Sequence, residues 1–123
     1  MNIQQVERLP DDVQKEYFDF QDVIWFVSYN DKAEWMGFGG IRMDMSDYPY
    51  FGPTYVKPEH RGLGLQRKLI EAREEWCRKN GYSGLTSCAY EANLHSRKNL
   101  EACGFKKLAN YCDEIWYFKS IGK

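Results

Sequence analysis

The chain has 123 residues and a formal net charge of −1, and 43% of its residues are hydrophobic and 16% aromatic. This length suits one domain, residues 1–123, that buries roughly two-thirds of its unfolded surface. The near-neutral charge argues against nucleic acid as the main partner, because a basic stripe would be expected. No apolar run approaches the roughly 20 residues of a membrane span, and no signal-peptide segment begins the chain. We therefore expect a soluble, cytoplasmic protein without a membrane partner.

The cysteine and histidine residues do not predict a metal site. The four cysteines form no C-x-x-C pair, which is the spacing typical of zinc ligands. His60 and His95 have no carboxylate or cysteine at i+3 or i+4 that would complete a site. We predict reduced thiols, as in most cytosolic proteins, and no bound metal.

The first half of the chain predicts one helix followed by three strands. Pro10 and the acidic residues after it suit a helix start, and Val13, Tyr17 and Phe20 would form its apolar face. Asn30 begins a turn that joins two arms of a hairpin, and glycines in the second arm indicate a bulge. A proline in the third strand favours a strand that is bulged or splayed from its neighbour. The predicted elements are a helix at 10–20 and strands at 21–29, 34–43 and 51–56.

The second half predicts a long amphipathic helix and then a further helix among three strands. Leu65, Leu69, Ala72 and Trp76 lie at helical spacing and predict one buried stripe. The charged residues of this helix, at i, i+4 spacing, are interpreted as ion pairs on a solvated face. The predicted elements are helix 64–80, strand 83–89, helix 94–103 and two strands within 106–121. The order α-β-β-β-α-β-α-β-β predicts an α/β fold in which a mixed sheet is covered by helices.

The turn between the third strand and the long helix has the features of a phosphate site. Free backbone N–H groups converge at a helix N-terminus, where the helix dipole favours an anion. Gly62 and Gly64 permit positive φ and close approach of a ligand to the backbone. Arg61, Arg67 and Lys68 add positive charge around the same turn.

Two common nucleotide motifs do not fit this turn, whereas a third family motif does. A P-loop requires Lys-Ser or Lys-Thr after its glycines, and a dinucleotide motif requires a third glycine where Arg67 stands. The stretch resembles the acyl-CoA motif of the GNAT acetyltransferase superfamily, V-x-P-x-x-R/Q-x-x-G-x-G/A. Val56, Pro58, Arg61 and Gly64 match. The departure is Gln66, which we expect to be tolerated because the first turn of a helix does not require positive φ.

A second stretch resembles the other signature of the same superfamily, N-x-x-S/A followed after seven residues by G-F. Asn93, Ser96, Gly104 and Phe105 match it, in the expected order along the chain. Asn93 is also a favoured helix N-cap, and both roles can coexist. The resemblance extends from about residue 22 onward. Relatives usually have an extra first strand and two helices before this point, so a shortened N-terminal region is expected.

The resemblance implies an acetyl-CoA-dependent N-acetyltransferase that transfers the acetyl group to a primary amine by direct attack in a ternary complex. The implied acceptor is a small molecule or a peptide or protein amine, and the C-terminal strand could pair in a homodimer. Coenzyme A is the implied co-substrate, and no metal is implied. The residues implied to bind it are Tyr55, Val56, Arg61, Gly62, Leu63, Gly64, Leu65, Gln66, Arg67 and Asn93.

Amine acetylation needs donors for the developing oxyanion, a base for the amine and fixed orientation of both substrates. Relatives often carry a tyrosine that protonates the departing thiolate, and Leu100 occupies that position here. The predicted catalytic candidates are Ser96, Tyr90, Glu91 and Asp47. Two alternatives stay open, namely a catalytically inactive CoA-binding module of this fold and a protein-interaction domain.

Overall fold

The computed structural model describes residues 2–14, 16–17 and 22–122. Within these residues the chain forms seven strands and three helices. The strands are β1 (Asn2–Val6), β2 (Ile24–Tyr29), β3 (Trp35–Arg42), β4 (Tyr50–Val56), β5 (Gly84–Tyr90), β6 (Lys106–Tyr111) and β7 (Glu114–Ser120). The helices are α1 (Asp11–Gln14), α2 (Leu65–Lys79) and α3 (Leu94–Ala102), and a 3₁₀ turn (Pro58–His60) precedes α2.

All seven strands form one mixed sheet in the order β1-β2-β3-β4-β5-β7-β6. Neighbouring strands are antiparallel except β4 and β5, which are parallel. The predicted α/β fold with a mixed sheet and covering helices is confirmed. The C-terminal strand β7 lies between β5 and β6, so it is β6 that forms the sheet edge there.

The N-terminal region differs from the sequence-based prediction. An extra strand, β1, pairs antiparallel with β2 from Asn2 opposite Tyr29 to Val6 opposite Trp25. The strand carries no apolar run and its side chains are mostly exposed, so its sequence has little of the periodicity that marks a buried strand. Strand β1 forms because its backbone pairs with the edge of β2. The expected absence of a first strand is therefore wrong.

The first helix is shorter than predicted. It ends at Gln14 rather than continuing to residue 20, and Tyr17 lies beyond its end. Val13 and Tyr17 still pack, half-buried, against a small cluster formed by Leu9, Trp25, Val27 and Phe38. Phe20, the third residue of the predicted apolar face, lies outside the described residues. Packing against the sheet therefore keeps Val13 and Tyr17 in place, although the helix that their spacing predicts ends between them.

Two apolar clusters lie on opposite faces of the sheet, because successive side chains of a strand point to opposite sides. On β2, Phe26 belongs to the larger cluster with α2 and α3, whereas Trp25 and Val27 belong to the smaller one. Strand β3 has the predicted bulge in its pairing with β2, where Met36 is the extra residue between Trp35 and Gly37. Strand β4 is also bulged, since Gly52 and Pro53 lie opposite Gly40 alone. No helix in the described ranges combines the length and apolarity needed to cross a membrane.

The long helix α2 is close to its predicted bounds, but its buried face is rotated. Leu65 and Leu69 are buried as predicted, while Ala72 and Trp76 are only partly buried at the edge of the core. The ion pairs between Glu74 and Arg78 and between Glu75 and Lys79 form as expected. The interpretation of the helix charges as a solvated face fails at one position, because Arg73 is buried together with Ile70 and Cys77.

Candidate active site

Strands β4 and β5 open a gap in the middle of the sheet. They pair at only two positions, Tyr50 with Thr86 and Phe51 with Ser87, and then diverge. Beyond Phe51, the N–H groups of β4 that point away from β3 therefore have no β5 partner. This is the splayed strand that the proline at position 53 indicated, because proline cannot donate to a continuous ladder.

The glycine turn after β4 adopts the conformation expected of an anion site. Gly62 and Gly64 have φ values of +81° and +79°, and a Cβ added at either would meet no atom within 4 Å. Gly64 is the N-cap of α2, and the Lys68 N–H is the first to bond back to it, at 3.2 Å. The preceding N–H groups of the first turn are therefore available to a ligand.

Arg61 is held beside this turn in an exposed position. Its Nε donates to the Val56 carbonyl at 2.8 Å, and its guanidinium lies 5.5 Å from the centroid of the Tyr55 ring. The guanidinium therefore lies next to the end of β4, where an anion at the α2 N-terminus would meet it. Gln66 lies in the first turn of α2, as expected, and its side chain takes part in the network described below.

A cavity of about 780 Å³ lies between this turn and the start of α3. Of the ten residues predicted to bind the co-substrate, Leu63 alone does not line it, and that side chain is 69% exposed. The cavity is also lined by five residues that the sequence analysis did not assign to co-substrate binding. These are Thr54, His60, His95, Ser96 and Asn99.

Polar side chains join α2 to α3 along the floor of this cavity. Arg67 Nε donates to Asn99 Oδ1 at 2.8 Å, and Asn99 Nδ2 donates to Gln66 Oε1 at 3.2 Å. Gln66 Nε2 in turn lies 3.3 Å from Ser96 Oγ. Gln66, which departs from the family motif, therefore links the two motifs. Asn99 was missed because a single polar residue in the middle of a helix shows no sequence signal of burial.

Asn93 caps α3 as predicted, with its Oδ1 accepting from the Ser96 N–H at 3.2 Å. The cap uses the amide oxygen. Asn93 lines the large cavity and also a second, smaller one of about 220 Å³ within the gap between β4 and β5. The two cavities share Thr54, Gln66, Asn93 and Ser96. They therefore form one path from the glycine turn into the sheet.

The predicted catalytic candidates are not brought together. Ser96 lines both cavities, and Tyr90, which is 60% exposed, lines the smaller one. Asp47 and Glu91 are exposed and line neither cavity. Leu100 is buried against the smaller cavity. The position where relatives carry a tyrosine is thus apolar here.

A carboxylate that the sequence analysis did not single out lies next to the smaller cavity. Cys88, which lines this cavity, donates from Sγ to Glu114 Oε2 at 3.4 Å. Burial and this hydrogen bond raise the pKa of Cys88 to about 12. Burial also raises the pKa of Tyr50, another lining residue, to about 12. Glu114 lies opposite Tyr90 in the β5–β7 pairing. The sequence does not reveal that Glu114 is near this cavity, because its position there depends on the register of the two strands.

The family and the fold of the chain follow from comparison with known proteins. The sequence model of the acetyltransferase (GNAT) family matches residues 2–105. The chain therefore belongs to the GNAT acetyltransferase family. No curated protein matches it significantly.

Three solved structures illustrate the shared fold. An IAA acetyltransferase from Bacillus cereus is 14% identical with a TM-score of 0.82, over 98% of this chain and 99% of that one. A Bacillus subtilis acetyltransferase in complex with CoA is 13% identical with a TM-score of 0.81, over 98% of both chains. PaiA N-acetyltransferase from Thermoplasma acidophilum, in complex with coenzyme A, is 15% identical with a TM-score of 0.74, over 89% and 68% of the two chains. Because the sequence identities are low, the similarity to these structures shows a shared fold and no more.

Proposed function

We propose that the chain is an acetyl-CoA-dependent N-acetyltransferase that transfers the acetyl group to a primary amine by direct attack in a ternary complex. The observation that carries this proposal is the continuous path from the glycine turn at Gly62 and Gly64 into the gap between β4 and β5. Membership of the acetyltransferase family supports acyl transfer. The CoA present in two of the similar structures supports CoA as the carrier.

The large cavity fits the phosphate end of coenzyme A. N–H groups at the start of α2 and the guanidinium groups of Arg61 and Arg67 would bind its phosphates, since helix N-termini and arginines both favour such anions. Asn93 lies where the two cavities meet and would contact the pantetheine arm. Bound there, acetyl-CoA supplies an activated acyl group as a thioester.

Groups of the chain would then stabilise the oxyanion, accept the amine proton and protonate the leaving thiolate. N–H groups of β4 that face the gap, near Tyr55 and Val56, would donate to the developing oxyanion. We propose Glu114 as the base that accepts the amine proton, because it adjoins Cys88 at the cavity wall. With Leu100 apolar, Ser96 or Tyr90 would protonate the departing thiolate, and a thiolate leaves adequately near neutral pH without full protonation.

The acceptor is proposed to be a cationic primary amine, either a small molecule or an amine of a peptide or protein. The aromatic pair Tyr50 and Trp116, with ring centroids 5.5 Å apart, lies on the same stretch of sheet as Glu114. Aromatic rings and a carboxylate together favour a cation.

One observation favours a second candidate function. Leu100 replaces the tyrosine that protonates the leaving thiolate in many relatives, which is consistent with a CoA-binding module that no longer catalyses. Acyl transfer and CoA binding therefore need separate measurements.

The first experiment is calorimetric titration of the protein with acetyl-CoA, with ATP and NAD as controls. We expect micromolar binding to acetyl-CoA alone. Release of free CoA thiol is then measured with a panel of small amines and peptide amines. Binding without thiol release for any amine would support the inactive module, and no binding at all would contradict both and favour a protein-interaction domain.

A further inference from the structure

Arg73 is a buried cation beneath the gap in the sheet. Its side chain is 1% exposed. Its Nε donates to the Leu69 carbonyl, and its Nη1 donates to the Gly40 carbonyl and to Thr54 Oγ1, each at 3.1 Å. The Cζ atom lies 4.7 Å from the centroid of the Phe51 ring.

The position of this guanidinium depends on the bulge between β3 and β4, where two residues of β4, Gly52 and Pro53, lie opposite Gly40 of β3. A Cβ at Gly39 would lie 2.7 Å from Arg73 Cζ, so only glycine leaves room for the side chain. The register shift between Gly39 and Ile41 releases the Gly40 carbonyl that Arg73 binds. Helix and bulge together hold the guanidinium in one place, which is a requirement for specific recognition.

Arg73 has no carboxylate counter-ion within the part of the chain that the structure describes. No Asp or Glu among residues 2–14, 16–17 and 22–122 forms a salt bridge with it, and no described group accepts a hydrogen bond from its Nη2. Burial lowers the pKa of Arg73 to about 9. A buried charge is costly unless an anion pairs with it. The guanidinium therefore has both the charge and the free donors to bind a carboxylate.

The residue lines the smaller cavity. In the proposed function the phosphates lie in the large cavity and the pantetheine arm passes Asn93, where the two cavities meet, so the acyl group at the end of the arm would extend into the smaller one. The cavity volume of about 220 Å³ corresponds to about seven water molecules at about 30 Å³ each. It therefore holds more than the three heavy atoms of an acetyl group at the end of the pantetheine arm.

We propose that this cavity also accepts a short acyl group that ends in a carboxylate, the monoacyl form of a dicarboxylic acid, and that Arg73 binds this carboxylate. Arg73 is then a specificity-determining residue for the acyl donor. The inference rests on the proposed function, because it requires that the CoA thioester enters the gap between β4 and β5. The transfer itself is unchanged, with the amine replacing the thiolate at the thioester carbonyl and the distal carboxylate retained.

The test compares two unreactive CoA thioethers by calorimetry, S-(3-carboxypropyl)-CoA and its neutral isostere S-(3-carbamoylpropyl)-CoA, with CoA itself as reference. We expect the wild-type protein to bind the carboxylate form at least 10-fold more tightly than the carboxamide form. In Arg73→Met we expect this ratio to fall to about 1 with the affinity for CoA within 3-fold. Arg78→Met removes a cation from the solvent side of the same helix and is expected to keep the ratio.

The outcomes separate this inference from the proposed function. No binding of CoA in any form would overturn the proposed function. Binding of CoA with equal affinity for the two thioethers in the wild-type protein would overturn the role of Arg73, and this result needs no variant that folds. A ratio that persists in Arg73→Met would also overturn it, since a purely structural arginine changes stability and not the ratio.

Discussion

Gly64 lies at the N-terminus of α2 with open space around its Cα, and we expect Gly64→Val to abolish CoA binding because a branched side chain would occupy the phosphate position. Positive φ makes the substitution strained in any case, at a cost of about 1–2 kcal/mol. Gly81→Val is the matched control, because Gly81 has a φ of +83° with equally open surroundings and lines neither cavity. Calorimetry should show lost affinity in the first variant only. Equal affinities would show that the phosphates bind elsewhere.

Asn93 is expected to act both as a cap and as a ligand of the cofactor. Asn93→Ala should lower the free energy of unfolding by about 1 kcal/mol through the lost cap and should also weaken CoA binding. Asn93→Ser keeps a capping oxygen but lacks the amide donors. If Asn93→Ser regains stability without regaining affinity, the amide contacts the cofactor. If both return together, Asn93 is a cap alone.

Glu114 is the proposed base, and we expect Glu114→Gln to lower kcat by about 100-fold, at the lower end for loss of general-base catalysis. The affinity for acetyl-CoA should stay within 3-fold, because Glu114 lines neither cavity. Steady-state rates of thiol release with a reactive amine measure the effect. Glu91→Gln and Asp47→Asn are measured in parallel. A large loss in either, with Glu114→Gln active, would transfer the role of the base to that residue.

At the scale of the elements, the bridge between α2 and α3 is expected to hold the two motifs in register. Asn99 is 6% exposed and bonds to Arg67, Gln66 and the His95 carbonyl. Asn99→Leu keeps the volume and removes these hydrogen bonds. Because Arg67 is exposed and Gln66 is half-buried, water can replace Asn99 as their partner, and we expect a cost of about 0.5–1.5 kcal/mol. Urea denaturation measures the loss. Lys98→Leu, which changes an exposed residue of α3 outside both cavities, is the comparison.

Asn99→Leu also tests whether the hydrogen bonds between α2 and α3 affect CoA binding. Without Asn99 the guanidinium of Arg67 loses its anchor at the cavity floor, so the affinity for CoA should fall by about 10-fold. An unchanged affinity in Asn99→Leu would show that α2 alone positions the phosphate groups.

The helices and strands differ in how well the sequence predicted their bounds and their buried residues. The bounds of α2 and α3 follow from local features, namely helical spacing and the residues Gly64, Asn80 and Asn93 at their ends. Strand β1 was not predicted, because it depends on pairing with β2 and its side chains are mostly exposed. The first helix was predicted but ends earlier, at Gln14. Arg73 was not predicted as buried, since charge normally indicates a surface and only the missing side chain at Gly39 of β3 makes room for it.

At the scale of the whole molecule, stability is expected to fall in alkaline solution. Burial raises the pKa values of Tyr50, Cys77 and Cys88 to about 12, above their ordinary values. The unfolded chain therefore releases these protons at a lower pH than the folded protein does. Their contribution to stability is complete below about pH 9 and is lost as the pH rises toward 12. The lowered pKa of Arg73 acts in the opposite direction.

The Tyr50→Phe variant isolates the contribution of Tyr50 to this loss of stability. We expect Tyr50→Phe to lose less stability than the wild-type protein between pH 8 and pH 11, by on the order of 1 kcal/mol. Urea denaturation at both pH values measures the difference, and groups common to the two proteins cancel, including Arg73. An equal loss in both proteins would show that Tyr50 titrates normally in the folded state.

The sequence by itself determined the family, the mixed α/β sheet and the position of the glycine turn, because these depend on short-range patterns in two motifs and on the periodicity of the core. Tertiary structure alone decided which side chains meet. Glu114 reaches Cys88 through the register of β5 and β7, Asn99 joins Arg67 across two helices, and Arg73 enters the core beside Gly39 and Gly40, where β3 pairs irregularly with β4. Each of these contacts joins residues far apart in the chain, and local preference carries no information about which distant residue a side chain will meet.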